Sequence, residues 1–303
     1  MKGAVGRTCR GPGLAVLVAT LILTGCEGAS YGTPANPLRF GYVPHERTQI
    51  ILFRAADVTE LIESQSGLVV EPFATMDYLG LVEAMCNREA EVSVLAASAY
   101  VLAAERGCAE AALVSLQAGE PFHQEQLVFR TDSGIEGVGD LAGKTFCRPD
   151  VELNSGSGWI APFLEMRAVG IDPTADLGQI VDVPTDRDVV KAVYDGDCEA
   201  GSTIVDARDQ LVEEIPTVKE DMTAIVASGK IPNDVIAFAP HLDAETRAVF
   251  TQAMLAVASN ADNADLLNAV YRWNLLAEAD DALFDDFRQQ LEMADVDIKD
   301  LRR

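Results

Sequence analysis

Leu68–Arg106 reads LVVEPFATMDYLGLVEAMCNREAEVSVLAASAYVLAAER, and this stretch decides the fold. Leu68–Ala74 is a strand. Met76–Asn87 carries Leu79, Val82 and Met85 at helical spacing. Val92–Leu95 is a short buried strand, and Ser98 is placed to cap a helix over Ala99–Arg106, closed by Gly107. Strand, helix, strand, helix is the grammar of a parallel sheet. Outward from there the pattern continues. Leu38–Val43 reads as a strand and Phe53–Ser64 as a helix closed by Gly67. Ala112–Gln117 and Gln126–Arg130 read as strands.

The second half restarts the alternation. Lys144–Cys147 is a strand, and Ser157 opens a helix that runs through Ala168 to Gly170. Gln179–Val183 is a strand, Asp186–Asp195 a helix and Ala200–Val205 a strand. Asp206–Glu214 reads as helical, Thr223–Ala227 and Asp234–Ala239 as strands, and the tail from Asp243 as nearly all helix. Two such blocks without a long linker predict two α/β lobes joined by strands.

The 303 residues include 48 acidic and 23 basic side chains, only six of them Lys, and 49% are hydrophobic. That apolar content is too high for a disordered acidic chain. Lys2, Arg7 and Arg10 precede the apolar run Leu14–Leu23, which is too short to span a bilayer at about 20 residues and reads as an export signal over residues 1–25. Its end, Leu23-Thr24-Gly25-Cys26, resembles the lipobox of bacterial lipoproteins, in which the Cys is lipid-modified and becomes the first mature residue. Removing the signal leaves 20 basic against 48 acidic groups, a net charge of −28. Nucleic acid is excluded as a partner, because phosphate backbones need a Lys/Arg surface. The body is placed outside the cytoplasm and meets the membrane only through its anchor. Residues 26–37, Pro/Gly-rich and polar, read as a flexible tether.

Several motifs look catalytic and fail. Gly139–Thr145 ends like a phosphate-binding loop, but Val138 stands where Gly is required and Lys144 enters a strand instead of opening a helix. A nucleophile elbow on Ser157 requires Gly where Ser155 stands. His45, His123 and His241 share no metal or triad spacing. The acids of Glu278–Asp286 lack the spacing of a calcium loop. No enzyme, cofactor or metal is expected. Asn154-Ser155-Gly156-Ser157-Gly158-Trp159 is different: small residues between a strand and a helix let a ligand approach unpaired amides, and the helix dipole favours an anion there.

The order of several segments resembles the phosphonate/phosphite/phosphate-binding proteins of ABC importers. It is carried by Asp77–Met85, Ala99–Arg106, Arg130–Ile135, Asp140–Phe146, Ala192–Gly201 and Ile231–Asp234. The resemblance implies a two-lobed periplasmic-binding-protein fold of type II, with lobe 1 from residues 38–128 plus 230–303 and lobe 2 from 129–229. Hinge strands are expected near Val128–Thr131 and Ile225–Asp234. It implies a monomer that captures a small solute and docks on a permease. It assigns oxyanion contacts to Tyr78 and to Ser155, Gly156 and Ser157, with Ser98 nearby, and ammonium contacts to Asp206 and Asp234. His123 stands where the family has a second Tyr, Asp186 where it has a His, and Gly156 where it has a Thr. A carboxylate at 186 implies that Asp186 turns outward, that Arg187 supplies a compensating cation, or that the solute is not a simple phosphonate but a cationic or zwitterionic compound, and Trp159 is a candidate cleft wall. A sensor module with the same fold is the rival, and a hydrolase using His45 or His123 a more distant one.

With Cys9 and the lipobox Cys26 set aside, Cys86, Cys108, Cys147 and Cys198 remain, and an even number in an exported protein suggests disulfides. Four Cys allow three connectivities. The two-lobed architecture favours Cys86–Cys108 and Cys147–Cys198, since each pair then falls within one lobe.

Overall fold

Period-two apolar runs flanked by amphipathic segments bury best as sheets with helices on their faces. A computed structural model shows that arrangement and describes residues 30–43, 48–150, 158–271, 273 and 275–298. The export signal, Cys26, His45 and Ser155–Ser157 lie outside the described residues.

The first sheet is built from β1 (Leu38–Tyr42), β2 (Val70–Ala74), β3 (Val92–Leu95), β4 (Glu110–Leu116), β10 (Val235–Phe238) and β11 (Leu275–Glu278). Its order is β11-β4-β10-β3-β1-β2. Strands β1, β2 and β3 are parallel, and β10 runs antiparallel between β3 and β4. The second sheet takes β5 (Phe122–Arg130), β6 (Thr145–Pro149), β7 (Gln179–Val183), β8 (Ala200–Ile204) and β9 (Met222–Pro232) in the order β7-β6-β8-β5-β9. Here β6, β7 and β8 are parallel, with β5 antiparallel to β8 and β9.

Ten α-helices are described: α1 (Thr48–Ser66), α2 (Tyr78–Cys86), α3 (Ala97–Glu105), α4 (Ile160–Ala168), α5 (Pro173–Asp176), α6 (Asp186–Asp195), α7 (Val218–Asp221), α8 (Ala244–Ser259), α9 (Ala264–Tyr271) and α10 (Asp285–Met293). Local chemistry sets several ends. Asp77 caps α2 by accepting from Gly80 N–H at 2.8 Å. Thr185 caps α6, which stops at Gly196 in the left-handed region at φ 85°.

Helices α1, α8 and α9 pack on one face of the first sheet through Leu38, Val58, Ile62, Phe250 and Leu267. Helix α6 covers the second sheet through Val189, Val190 and Val193. A third cluster is shared by both sheets and joins Leu81, Tyr100, Leu127, Trp159 and Phe287.

Some expectations change. Tyr31–Pro37 is not loose: Gly32 C=O accepts from Val69 N–H at 2.9 Å, Thr33 pairs with Asn36, and the Tyr31 ring lies 5.5 Å from that of His241. The expected lobe edge at 128 and the hinge at Val128–Thr131 fall inside or at the end of β5. The chain changes sheet at residues 117–121 and again at Asn233–Asp234. Leu79 is exposed, and α2 buries Tyr78, Leu81, Val82, Ala84 and Met85 instead. Residues Ala207–Leu211 form a 3-10 turn, not a helix through 214. The helical tail contains β11, which pairs with β4. The disulfides are Cys86–Cys108 and Cys147–Cys198, the favoured pairs.

Candidate ligand-binding site

In open α/β sheets, ligand chemistry gathers beyond the carboxyl ends of the parallel strands. Each sheet brings predicted residues to that edge. In the first, Tyr78 follows β2 as the buried first residue of α2, and Ser98 follows β3 as the second residue of α3. Ala96, not Ser98, occupies the N-cap of α3, and no side chain caps it. Asp234 precedes β10, whose Val235 pairs with Leu95 at the end of β3.

In the second sheet, β7 leads to Asp186, β8 to Asp206, and β5 enters beside the end of β8, with Glu125 opposite Ile204. Asp206 is exposed and holds φ 66°, a left-handed backbone uncommon outside Gly, Asn and Asp. Asp186 faces inward: its Oδ1 accepts from Ile204 N–H at 2.8 Å. Arg187, next along the chain, is paired with Glu214.

Period-two alternation puts His123 and Glu125 on one face of β5. Asn233 is fully employed: its Nδ2 donates to Ser115 C=O and Glu120 C=O, both at 2.9 Å. Its Oδ1 therefore faces His123 Nδ1 as an acceptor at 3.0 Å, so that ring nitrogen carries the proton. The other ring nitrogen, Nε2, lies 3.4 Å from Glu125 Oε1. Burial, the largest single influence, disfavours the imidazolium. The hydrogen bond and charge of Glu125, with help from Asn233 and the Asp234 carboxylate, outweigh it and raise the pKa above its ordinary value.

Glu125 is wholly buried. Its Oε1 accepts from Gly158 N–H and its Oε2 from Ala161 N–H, both at 2.7 Å. The expectation that the amides opening this helix await a ligand is thus overturned for these two. Helix α4 starts at Ile160, later than Ser157. Gly158 is required where it stands. It has φ 83°, and a Cβ there would lie 2.8 Å from Asp186 Oδ1 and 3.2 Å from Thr203 Cα. Trp159 is core, not a cleft wall: it is fully buried beside Phe146 and Phe163, with the Arg148 guanidinium 4.6 Å above its ring.

The arrangement so built is a carboxylate-rich edge with one imidazole at the crossover between sheets. Residues 40–284 match the family model described as ABC transporter, phosphonate, periplasmic substrate-binding protein. The chain belongs to that family. As a member of the phosphonate-binding family, it is similar to the phosphate-import protein PhnD of Mycolicibacterium smegmatis, at 26% identity over 265 residues, or 78% of this chain and 80% of the relative. The binding-protein component of an ABC phosphonate transporter of Pseudomonas aeruginosa superposes with a TM-score of 0.63 at 18% identity, over 85% of this chain and 86% of that one. PhnD1 of Prochlorococcus marinus in complex with methylphosphonate gives a TM-score of 0.64 at 11% identity, over 85% and 98%. These superpositions show the shared two-sheet fold. Family membership makes this a substrate-binding protein of ABC transport, with an extracytoplasmic place of work.

Sequence reasoning missed Glu125. The available signal was an acid two residues from His123 in the strand FHQEQLVFR, hence on the same face.

Proposed function

We infer that this protein is a lipid-anchored, monomeric receptor that captures a small zwitterionic solute, a phosphonate-class anion bearing an ammonium group, and presents it to an ABC permease. The observation that supports the reading is the placement of carboxylates at strand ends, Asp186 after β7, Asp206 after β8 and Asp234 before β10, where Asp234 acts on His123. A dianion alone meets net repulsion there, whereas an ammonium group is attracted by the same carboxylates. In this reading Tyr78, Ser98 and Ser155-Gly156-Ser157 contact the oxyanion end, while Asp206 and Asp234 hold the ammonium. Cys26 carries the lipid.

The test is calorimetric titration with 2-aminoethylphosphonate and with ethylphosphonate, which differ only by the amine. The amine-bearing compound is expected to bind more tightly, and Tyr78→Ala to weaken both. Equal or tighter binding of ethylphosphonate would overturn the zwitterion reading.

A further inference from the structure

The start of α4 is capped from an unusual place. Its N-cap residue, Trp159, contributes no side-chain bond. The acceptor comes instead from Glu125, on another strand 33 residues earlier for Gly158 and 36 for Ala161. A Ser, Thr, Asp or Asn at the cap position itself would satisfy such amides at the surface. A wholly buried carboxylate is a costly substitute, because its charge must be compensated inside the protein. The compensation is visible: two amides at the positive end of α4, and the imidazole of His123 at 3.4 Å.

We propose that Glu125 is a specificity-determining residue, a resident carboxylate on the α4 amides that turns the site away from doubly charged oxyanions and toward solutes carrying one negative charge or an ammonium group. The proposal rests on the capture function inferred above. Glu125 is buried, so it acts on the solute through its field and not by contact. It consumes donors that a helix start otherwise offers an anion. The groups facing the pair reinforce this. Asp234 acts on His123 from the β9–β10 junction, and Asp186 lies against Gly158 from the start of α6. With His123 cationic, the pair is close to neutral, and the two amides stay occupied. With His123 neutral, Glu125 adds a further negative charge. In neither state are these α4 amides open to a dianion.

Tetrahedral probes of fixed charge test this. Sulfate carries two charges and methanesulfonate one at every working pH, and each is titrated in competition with 2-aminoethylphosphonate. Glu125→Gln keeps the side-chain volume and one acceptor for the amides. It is expected to raise sulfate affinity by about tenfold or more, with a smaller gain for methanesulfonate. A purely structural cap would give loss or no change, and an unchanged or lowered sulfate affinity in E125Q overturns the proposal. If E125Q does not fold, the native protein decides. Methanesulfonate competing better than sulfate supports the proposal, and sulfate competing better overturns it. Failure of 2-aminoethylphosphonate to bind the native protein is a separate outcome. It overturns the zwitterion reading of the function, and the proposal resting on it, whatever E125Q does.

Discussion

The His123 imidazole and the Glu125 carboxylate lie 3.4 Å apart at the entry to β5, the carboxylate wholly buried, the ring mostly so, and both on one face of the strand. Asn233 fixes the far side of the ring, so the pair sits where the chain passes back from the second sheet to the first. This makes stability depend on pH with a definite sign. The folded pKa of His123 is raised above the ordinary 6.5, so the folded protein binds the proton more tightly than the unfolded chain. The stabilisation is complete below the unfolded pKa and is lost as pH rises through the raised folded value. Urea midpoints measured from pH 5.5 upward are expected to fall across that window. Glu125→Gln, which removes the main partner, is expected to lower the imidazole pKa seen by NMR.

Gly158 and Gly134 are both left-handed, at φ 83° and 76°, but only Gly158 has neighbours where a Cβ would go. Gly134→Ala is expected to cost about 1 kcal/mol, the backbone penalty alone. Gly158→Ala is expected to cost at least about 2 kcal/mol, since Asp186 and Thr203 must also shift. Denaturant midpoints of the two variants check the difference. Gly158→Ala is also expected to weaken ligand binding, and Gly134→Ala to leave it unchanged.

Asp206→Asn removes charge while keeping a residue that tolerates the left-handed backbone of that position. It is expected to weaken 2-aminoethylphosphonate binding by about tenfold, the scale of one charge-assisted hydrogen bond, and to leave ethylphosphonate binding unchanged or improved. Calorimetry on both ligands reads the contrast.

The two disulfides span sequence separations of 22 and 51. Loop-closure entropy then gives roughly 3 kcal/mol for Cys86–Cys108 and roughly 4 kcal/mol for Cys147–Cys198. Paired Cys→Ala replacements are expected to lower the melting temperature in that order, with Cys147/Cys198 the larger loss.

The alternation of strand and helix was legible where caps and burial agree with local pattern. The reading placed Val92–Leu95, Gln179–Val183 and Asp186–Asp195 at their observed ends. In the last of these, Thr185 and Gly196 mark both termini in the sequence itself. Strand β11 was not legible, because Leu-Leu-Ala-Glu has no alternation of its own and becomes a strand only against β4. The first residues of β5 were missed for another reason. His123, Gln124 and Glu125 are polar and look like a loop, and their partners, Asn233 and the amides of Gly158 and Ala161, lie far along the chain. Tyr78 is buried as the first residue of α2, which accords with packing as the alternative to a ligand contact.

The C-terminal segment has one more consequence. After β11 leaves the first sheet, Phe284 packs on Tyr100 with ring centroids 4.2 Å apart. Helix α10 then settles on β9 and α4 of the second sheet, where Gln290 Nε2 donates to Lys230 C=O at 3.4 Å. With residues 117–121 and Asn233–Asp234, the backbone therefore passes between the two sheets three times. A single proteolytic cut at the exposed Gly119 leaves the halves tied by the other two passages. Any relative motion of the halves must therefore be accommodated in all three passages at once.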